Sequence, residues 1–262
     1  MKKLLLMLPL SCFSATAQAA VQGKEVSYQA DGATLKGYIA YDDSIKGKRP
    51  AVLVVHEWWG QNEYSRKRAR MLAEQGYTAL AVDMYGDGKV ADNPDDAGKL
   101  AAGISKNLPL AKARFEAGMK LLRKHKTVDA NKMASFGYCF GGGVALNMAR
   151  MGEDLKGVAS FHGSLGTDHP AQPGKIKARI ISFSGEADPV IPADKVAAFR
   201  QEMESAGASY RVVTYPGALH AFTNPDADEL GKKFKMPIAY DAEADKDSWQ
   251  QAMVFLREVF RQ

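Results

Sequence analysis

The chain has 262 residues, of which 46% are apolar and 25% are charged, and its formal net charge is +5. This balance is that of an ordinary globular protein and excludes fibrous and largely disordered classes, while the length suits one large domain. The basic residues form short clusters of the kind found on solvated turns and helix faces, so no nucleic-acid partner is expected.

The first nineteen residues have the three-part pattern of a secretory signal peptide. Lys2 and Lys3 precede an apolar run over residues 4–13, and small residues ending in Ala17-Gln18-Ala19 follow. That run has about half of the roughly twenty apolar residues that a bilayer core requires, which argues against a membrane anchor. We expect cleavage after Ala19, export to the periplasm and a single mature domain over residues 20–262.

The two cysteines bear on export in different ways. A lipoprotein signal at Cys12 is an alternative to simple cleavage, but Pro9 stands where such signals have an aliphatic residue. Cleavage would leave Cys139 as the only thiol in an oxidising compartment, so an intramolecular disulfide is excluded. A lone cysteine is most often a small buried hydrophobe, and a functional role must therefore come from its setting.

The first half of the chain predicts a hairpin followed by alternating strands and helices. Turn residues Asp31-Gly32 divide two strand-like runs within residues 25–41. Further predicted elements are a strand over 51–55, a helix over 64–75 closed by Gly76, a strand over 78–82, a polar loop over 86–96 that is expected to cover the surface, and one helix carrying Phe115, Met119 and Leu122.

The second half continues the alternation. Its predicted elements are a strand over 133–136, a helix to about residue 151, strands over 158–161 and 179–183, a helix over 194–206, a strand over 211–214, and a final helix with Trp249, Met253, Leu256 and Phe260 on one face. Repeated strand-then-helix order predicts an α/β fold with a mostly parallel central sheet covered by helices on both faces.

A glycine pattern surrounds Cys139 at a predicted strand-to-helix junction. Gly137-x-Cys139-x-Gly141 matches the G-x-S-x-G nucleophile elbow with sulfur in place of oxygen. The glycines are needed because side chains two positions either side of the nucleophile would collide with neighbouring backbone. A glycine-rich junction can also bind phosphate, but the Gly-Lys-Ser/Thr sequence of a nucleotide site is missing. The pattern favours Cys139 as a nucleophile.

Two further residues stand in the order that this elbow requires. Asp188 follows a later strand and His220 lies in a still later loop, which gives nucleophile, acid and histidine along the chain. Asp188 could instead be a turn residue before Pro189. Asp83 and Glu186 are the competing acids, and both rank lower.

Four other histidines compete with His220. His125 lies in a basic helix end and His169 in a polar loop, whereas His56 and His162 both lie at strand ends near the predicted site and could line it. Only His220 follows the acid. We therefore interpret Cys139, His220 and Asp188 as nucleophile, base and orienting acid.

Five segments together resemble the dienelactone hydrolase family of α/β-hydrolases, over about residues 25–260. They are His56-Glu57-Trp58-Trp59-Gly60, Asp83-Met84-Tyr85-Gly86, Gly137-Tyr138-Cys139-Phe140-Gly141-Gly142, Gly185-Glu186-Ala187-Asp188-Pro189 and His220-Ala221-Phe222. The resemblance implies a Cys-His-Asp triad at the three residues named above. It also implies that Glu57 contacts the resting thiol and is displaced by substrate.

The resemblance extends to the rest of the site. It implies an oxyanion hole formed by the backbone N–H groups of Trp58 and Phe140. Aromatic side chains at Trp59, Tyr85 and Phe222, together with Trp58, would suit an apolar or aromatic substrate, although such residues are more often packing.

Two positions depart from the family pattern. Members that act on dienelactone hold its carboxylate with two arginines, and the corresponding positions here are Asp87 and Asn224. Neither offers a bidentate cationic fork, and Asp87 would repel a carboxylate. A less charged ester or lactone is therefore expected.

The expected activity is hydrolysis of a carboxylic ester or lactone through a thioester acyl-enzyme, in a monomer that needs no metal or organic cofactor. Two rivals remain open. One is thioester hydrolysis or acyl transfer on the same fold. The other is a thiol redox or ligand-binding protein on a hydrolase scaffold.

Overall fold

The computed structural model describes residues 21–261, so the predicted signal peptide and its cleavage site lie outside the described residues. The strands in this part of the chain are β1 (Val21–Ala30), β2 (Ala33–Asp42), β3 (Arg49–Val55), β4 (Thr78–Val82), β5 (Val128–Tyr138), β6 (Gly157–Phe161), β7 (Arg179–Gly185) and β8 (Tyr210–Tyr215). The helices are α1 (Glu63–Glu74), α2 (Pro94–Ser105), α3 (Leu108–Arg123), α4 (Phe140–Arg150), α5 (Ala193–Ser205), α6 (Ala227–Phe234) and α7 (Ala242–Phe260).

All eight of these strands form one open sheet in the order β1-β2-β4-β3-β5-β6-β7-β8. Strand β2 is antiparallel to both of its neighbours, and every pair from β4 to β8 is parallel. The predicted fold class is confirmed. Since parallel strands point the same way, the loops that follow β3, β5, β6, β7 and β8 emerge at one edge.

Both faces of the sheet are covered by helices. Alternate residues of β3 show this division: Val52 and Val54 pack on the side of α1 and α7, whereas Leu53 and Val55 pack on the side of α3, α4 and α5. Each of these valines and leucines is fully buried, and each such burial stabilises the fold by about 1.5–3 kcal/mol. The continuous apolar run at 51–55 reflects this double covering.

The predicted hairpin is present, with β1 and β2 paired along their whole length. Both residues of its turn, Asp31 and Gly32, have positive φ, at 49° and 72°. Two-residue hairpin turns of this type match the twist of the strands, which explains the Asp-Gly sequence.

Two helices were not expected from the sequence. The predicted loop over 86–96 ends early, because Asn93 caps α2 through the amide of Asp96 and Pro94 occupies the first turn. Helix α6 is only eight residues long, and its inward face, with Ala227, Leu230, Gly231 and Phe234, covers just two turns, which is too short for its periodicity to be distinctive in the sequence.

No helix within residues 21–261 combines the length and apolar character needed to cross a membrane.

Candidate active site

Cys139 lies on a strained turn between β5 and α4. Its backbone has φ 52° and ψ −116°, a conformation that non-glycine residues rarely adopt. A Cβ at Gly137 would lie 2.1 Å from the carbonyl oxygen of Gly141, and one at Gly141 would lie 2.3 Å from that of Val55. Both glycines are therefore sterically required, and the turn holds the half-buried thiol above the end of the sheet.

The three residues of the predicted triad converge at this edge. Sγ of Cys139 is 3.1 Å from Nε2 of His220, and Nδ1 of the same ring is 2.7 Å from Oδ2 of Asp188. They come from the loops after β5, β8 and β7. The carboxylate of Asp188 is fixed by the amides of Val190 and Ile191, which donate to Oδ1 at 2.8 and 3.3 Å.

The electrostatics of the site favour a charged histidine. Burial alone would lower the pKa of His220, but the charge of a Cys139 thiolate and the carboxylate of Asp188 outweigh it and raise the pKa above its usual value. The arrangement can therefore stabilise a thiolate–imidazolium pair, which is the reactive form of a cysteine nucleophile.

Two amides are available at the position predicted for an oxyanion hole. Phe140 is the first residue of α4, where N–H groups have no partner within the helix. Among the hydrogen bonds of residues 21–261, none uses the backbone N–H of Trp58 or Phe140 as its donor. The helix dipole adds to the stabilisation of negative charge beside Cys139.

Glu57 is buried beside the triad, but its hydrogen bond does not go to the thiol. Nδ2 of Asn224 donates to Oε2 of Glu57 at 2.7 Å, while Oδ1 of Asn224 accepts from the amide of Asp226. Burial raises the pKa of Glu57 to about 7, against the opposing effect of the Asn224 bond. Glu57 thus lines the pocket beside Cys139 but is bonded to Asn224, while the thiol is bonded to His220.

The competing acids and one competing histidine have other roles. Asp83 accepts backbone amides from four residues and so shapes the turn after β4. Glu186 accepts a hydrogen bond from Thr214 at the surface. His56 is fully buried, with Nδ1 2.6 Å from the carbonyl oxygen of Glu57 and Nε2 accepting from the amide of Met84.

His162 belongs to a buried polar chain behind the triad that sequence reasoning did not find. Oγ1 of Thr223 is 2.7 Å from Nε2 of His162 and 2.6 Å from the hydroxyl of Tyr64. Arg68 donates from Nε to Tyr64 at 3.2 Å and from a guanidinium N–H to the Thr223 carbonyl oxygen at 2.5 Å. The ring of His162 packs edge-on against His220, with centroids 5.3 Å apart.

The chain of hydrogen bonds has a direction, because Arg68 can only donate. The Tyr64 hydroxyl is then assigned as the hydrogen-bond donor to Oγ1 of Thr223, and the Thr223 hydroxyl as the donor to Nε2 of His162. This assignment leaves one unpaired group, Nδ1 of His162, and the reverse direction would leave more. Burial lowers the pKa of His162 well below its usual value, which keeps the ring neutral. Nothing in the sequence pattern marks Thr223, three residues after His220, for this role.

The backbone is strained beside His220 and at His162, where the buried hydrogen-bond chain contacts the loop that carries His220. Ala221 has φ 61° and His162 has φ 39°, both in the left-handed region. Such conformations persist only when surrounding contacts over-determine them. The bonds to Thr223 supply those contacts and connect the histidine loop to α1.

A pocket of about 200 Å³ opens above Cys139 and His220. Its other lining residues are Glu57, Trp58, Trp59, Val190, Ala221, Asn224, Leu230, Met236, Pro237 and Ile238. Of the predicted pocket residues, Trp59 lines it. Tyr85 lies behind it, donating to the carbonyl oxygen of Trp58, and Phe222 is fully buried in the core. Asp87 is exposed and lies outside the lining.

No group of three or more His, Cys, Asp or Glu side chains in the described part of the chain could hold a metal ion.

A mostly parallel sheet with a nucleophile elbow at its carboxyl edge defines the α/β-hydrolase class. Within that class, the model of the Dienelactone hydrolase family matches residues 35–260, and the chain belongs to this family. This membership makes it a hydrolase of carboxylic esters or lactones.

Known proteins similar to the chain cover nearly its whole length. A protein of Aquifex pyrophilus named Protein usf is 29% identical over 90% of this chain and 98% of the relative. A protein of Aquifex aeolicus with the provisional name carboxymethylenebutenolidase is also 29% identical, over 91% of this chain and 100% of the relative.

A solved structure agrees with these relatives. It is the crystal structure of a dienelactone hydrolase-like promiscuous phosphotriesterase from metagenomic libraries. Its TM-score is 0.84 at 29% identity, with 92% of this chain and 99% of that chain covered.

Proposed function

We propose that the protein hydrolyses its ester or lactone by covalent catalysis at Cys139, with His220 as base and Asp188 as the orienting acid. The observation that carries the proposal is the continuous set of contacts from Sγ of Cys139 through both ring nitrogens of His220 to Asp188. This is the nucleophile, base and orienting group that covalent acyl transfer requires.

The first half of the reaction forms a thioester. His220 takes the proton of Cys139, and the thiolate attacks the carbonyl carbon while the amides of Phe140 and Trp58 bind the developing oxyanion. The tetrahedral intermediate collapses by breaking the bond to the leaving oxygen, which receives the proton held on Nε2 of His220. A lactone opens at the same step, and its alcohol stays attached to the acyl group.

The second half releases the acid. His220 removes a proton from water, the hydroxide attacks the thioester carbonyl, and collapse expels the Cys139 thiolate beside the imidazolium. Asp188 orients the ring and stabilises its positive charge throughout. The gating role of Glu57 stays a prediction, in which its carboxylate would exchange the Asn224 bond for the thiol.

Mass spectrometry with an activated ester tests the proposal. We expect an acyl adduct on Cys139, and we expect Cys139→Ala to give neither adduct nor turnover. Full turnover by Cys139→Ala, or an adduct elsewhere, would refute the assignment. Product analysis with added alcohols separates hydrolysis from acyl transfer, since a new ester would identify an acyltransferase. Peroxide-dependent change at Cys139 without ester turnover would favour the redox alternative.

We also propose that the protein is exported, on the basis of the predicted signal peptide in residues 1–19. Expression of the full chain in a Gram-negative host and sequencing of the periplasmic product should give a mature protein that begins at Ala20. Recovery in the membrane fraction, lost on Cys12→Ala, would instead indicate a lipoprotein.

A further inference from the structure

The pocket above Cys139 differs from a site built for an anionic substrate. Apolar side chains form most of its wall, among them Val190, Met236 and Ile238. The described residues that line it include no lysine or arginine. A ligand in this pocket therefore meets hydrocarbon and aromatic surface away from the reacting thiol.

The ionisable groups in the pocket would disfavour an anion. The carboxyl group of Glu57 lies in the wall and supplies no positive charge in either protonation state, and the reactive form of Cys139 is negative. A substrate carboxylate would lose its hydration there without gaining a cationic partner, which is costly in a buried site. Among the described residues that line the pocket, only the imidazolium of His220 can carry a positive charge, and it is already paired with Asp188 and the thiol.

The volume of the pocket limits the size of the acyl group. An apolar cavity of about 150 Å³ can take up a benzene molecule. A pocket of about 200 Å³ therefore suits a single ring or a short aliphatic chain.

The wall that sets this limit is attached to the catalytic loop. Helix α6 ends at Phe234, and the φ of 54° at the next residue, Lys235, turns the chain back towards the site. Ile238 then forms a β-bridge with His220, and the amide of Ala239 donates to the His220 carbonyl oxygen at 3.2 Å. These two contacts fix the position of the acyl-binding wall relative to His220.

We propose that the site selects esters and lactones of uncharged acids whose acyl part is a short aliphatic chain or a single ring. This deepens the proposed function and rests on it. Met236 and Ile238 set the length of acyl group accepted, and the lack of a lysine or arginine among the described lining residues disfavours acyl groups that carry a carboxylate.

A matched pair of substrates tests the charge selection. The 4-nitrophenyl ester of butyric acid and the mono-4-nitrophenyl ester of succinic acid share a leaving group and a similar chain, but one ends in a methyl group and the other in a carboxylate. At neutral pH we expect kcat/KM for the butyrate to exceed that for the succinate by about a hundredfold or more. A ratio within about threefold would overturn the proposal.

A charge placed at the rim gives a second measurement. Val190 is 59% exposed, so Val190→Arg should fold, and it should raise the succinate-to-butyrate ratio of kcat/KM by about tenfold or more. Val254→Arg is the matched control, since Val254 is an exposed valine of α7 outside the pocket, and it should leave the ratio unchanged. An unchanged ratio in Val190→Arg would contradict the inference that a missing cation sets the preference.

Acyl length and the labelling of Cys139 complete the test. Rates should fall for acyl chains longer than the pocket, and Ile238→Ala should extend the accepted length. Equal rates for butyrate and decanoate esters would overturn the size limit.

If the butyrate and succinate esters acylate Cys139 at similar rates, the proposed substrate class is wrong and the proposed chemistry stands. If neither the butyrate nor the benzoate ester acylates Cys139, the proposed function itself fails.

Discussion

Replacement of Thr223 by valine tests how the loop that carries His220 is supported, without altering the three residues of the proposed triad. The side chain is fully buried, and its hydroxyl bonds both Tyr64 and His162. Valine preserves the shape and removes only the hydroxyl. The change therefore leaves two buried polar groups without their partner and touches no residue of the proposed triad.

The expected loss of stability follows from those two groups. A buried donor or acceptor that loses its partner costs about 1–3 kcal/mol, so Thr223→Val should destabilise the fold by roughly 2–6 kcal/mol. For a domain of this size the melting temperature falls by about 2–4 °C per kcal/mol, which gives a decrease of roughly 4–24 °C. Thr223→Ser keeps the hydroxyl and loses one methyl group, a change worth about 1 kcal/mol.

The same substitution should lower turnover, because Ala221 and His162 are strained and the Thr223 bonds hold them beside His220. Thermal unfolding by circular dichroism gives the stability, and kcat per active site, counted from the acylation burst, corrects for unfolded protein. The pH profile of Cys139 alkylation reports directly on the thiol–histidine contact, and it should shift in Thr223→Val and recover in Thr223→Ser. A valine variant with wild-type melting and alkylation, or a serine variant as impaired as valine, would refute the reasoning.

Three further predictions concern the elbow, the buried carboxyl and the acid of the triad. Gly137→Ala should abolish activity and expression of folded protein, since its Cβ would lie 2.1 Å from a backbone atom. The control is Gly103→Ala in α2, whose Cβ would meet no atom within 4 Å, and it should be neutral or stabilising by about 1 kcal/mol. Equal melting temperatures for the two variants would contradict this. Burial raises the pKa of Glu57 from its usual 4.5 to about 7, so between these pH values the folded state binds a proton that the unfolded state has lost. The free energy of unfolding should therefore fall as pH rises through this window, by on the order of 3 kcal/mol relative to Glu57→Gln. Urea unfolding of both proteins at pH 5 and pH 8 checks this, and parallel profiles would rule it out. Asp188→Asn should keep the fold and reduce kcat by roughly 10³–10⁴-fold, because the asparagine amide favours the wrong tautomer of His220. Steady-state kinetics check this, and a decrease in kcat of less than about tenfold would exclude Asp188 as the orienting acid.

Elements with strong local signals could be predicted from the sequence. Strand β4 has the predicted bounds, because an apolar run between Gly76 and Asp83 leaves little freedom. Helix α2 was missed because Gly98 and Gly103 dilute its apolar pattern, although Asn93-Pro94 is a recognisable start signal. Helix α6 was missed because its apolar face spans only eight residues, which is too short for helical periodicity to be distinctive.

The candidate site could likewise be predicted only where a local pattern or the chain order marks its residues. Glycine spacing and chain order suffice to place Cys139, Asp188 and His220 near one another, because elbow geometry is local and the parallel sheet fixes the rest. The partner of Glu57 is Asn224, 167 positions later, and such a pairing follows only from the folded chain. Phe222 was predicted to line the pocket but is buried in the core, because an aromatic residue two positions after His220 can point in either direction.

The left-handed backbone at Ala221 has a consequence for laboratory evolution of the enzyme. A β-branched or bulky residue at φ 61° would clash with its own backbone, and the position is only 6% exposed. A library randomised around His220 should therefore return alanine, glycine or asparagine at 221, whatever substrate drives the selection. Sequence diversity aimed at new substrates is more productive at Val190, Met236 and Ile238, where the side chains face the pocket and the backbone tolerates exchange.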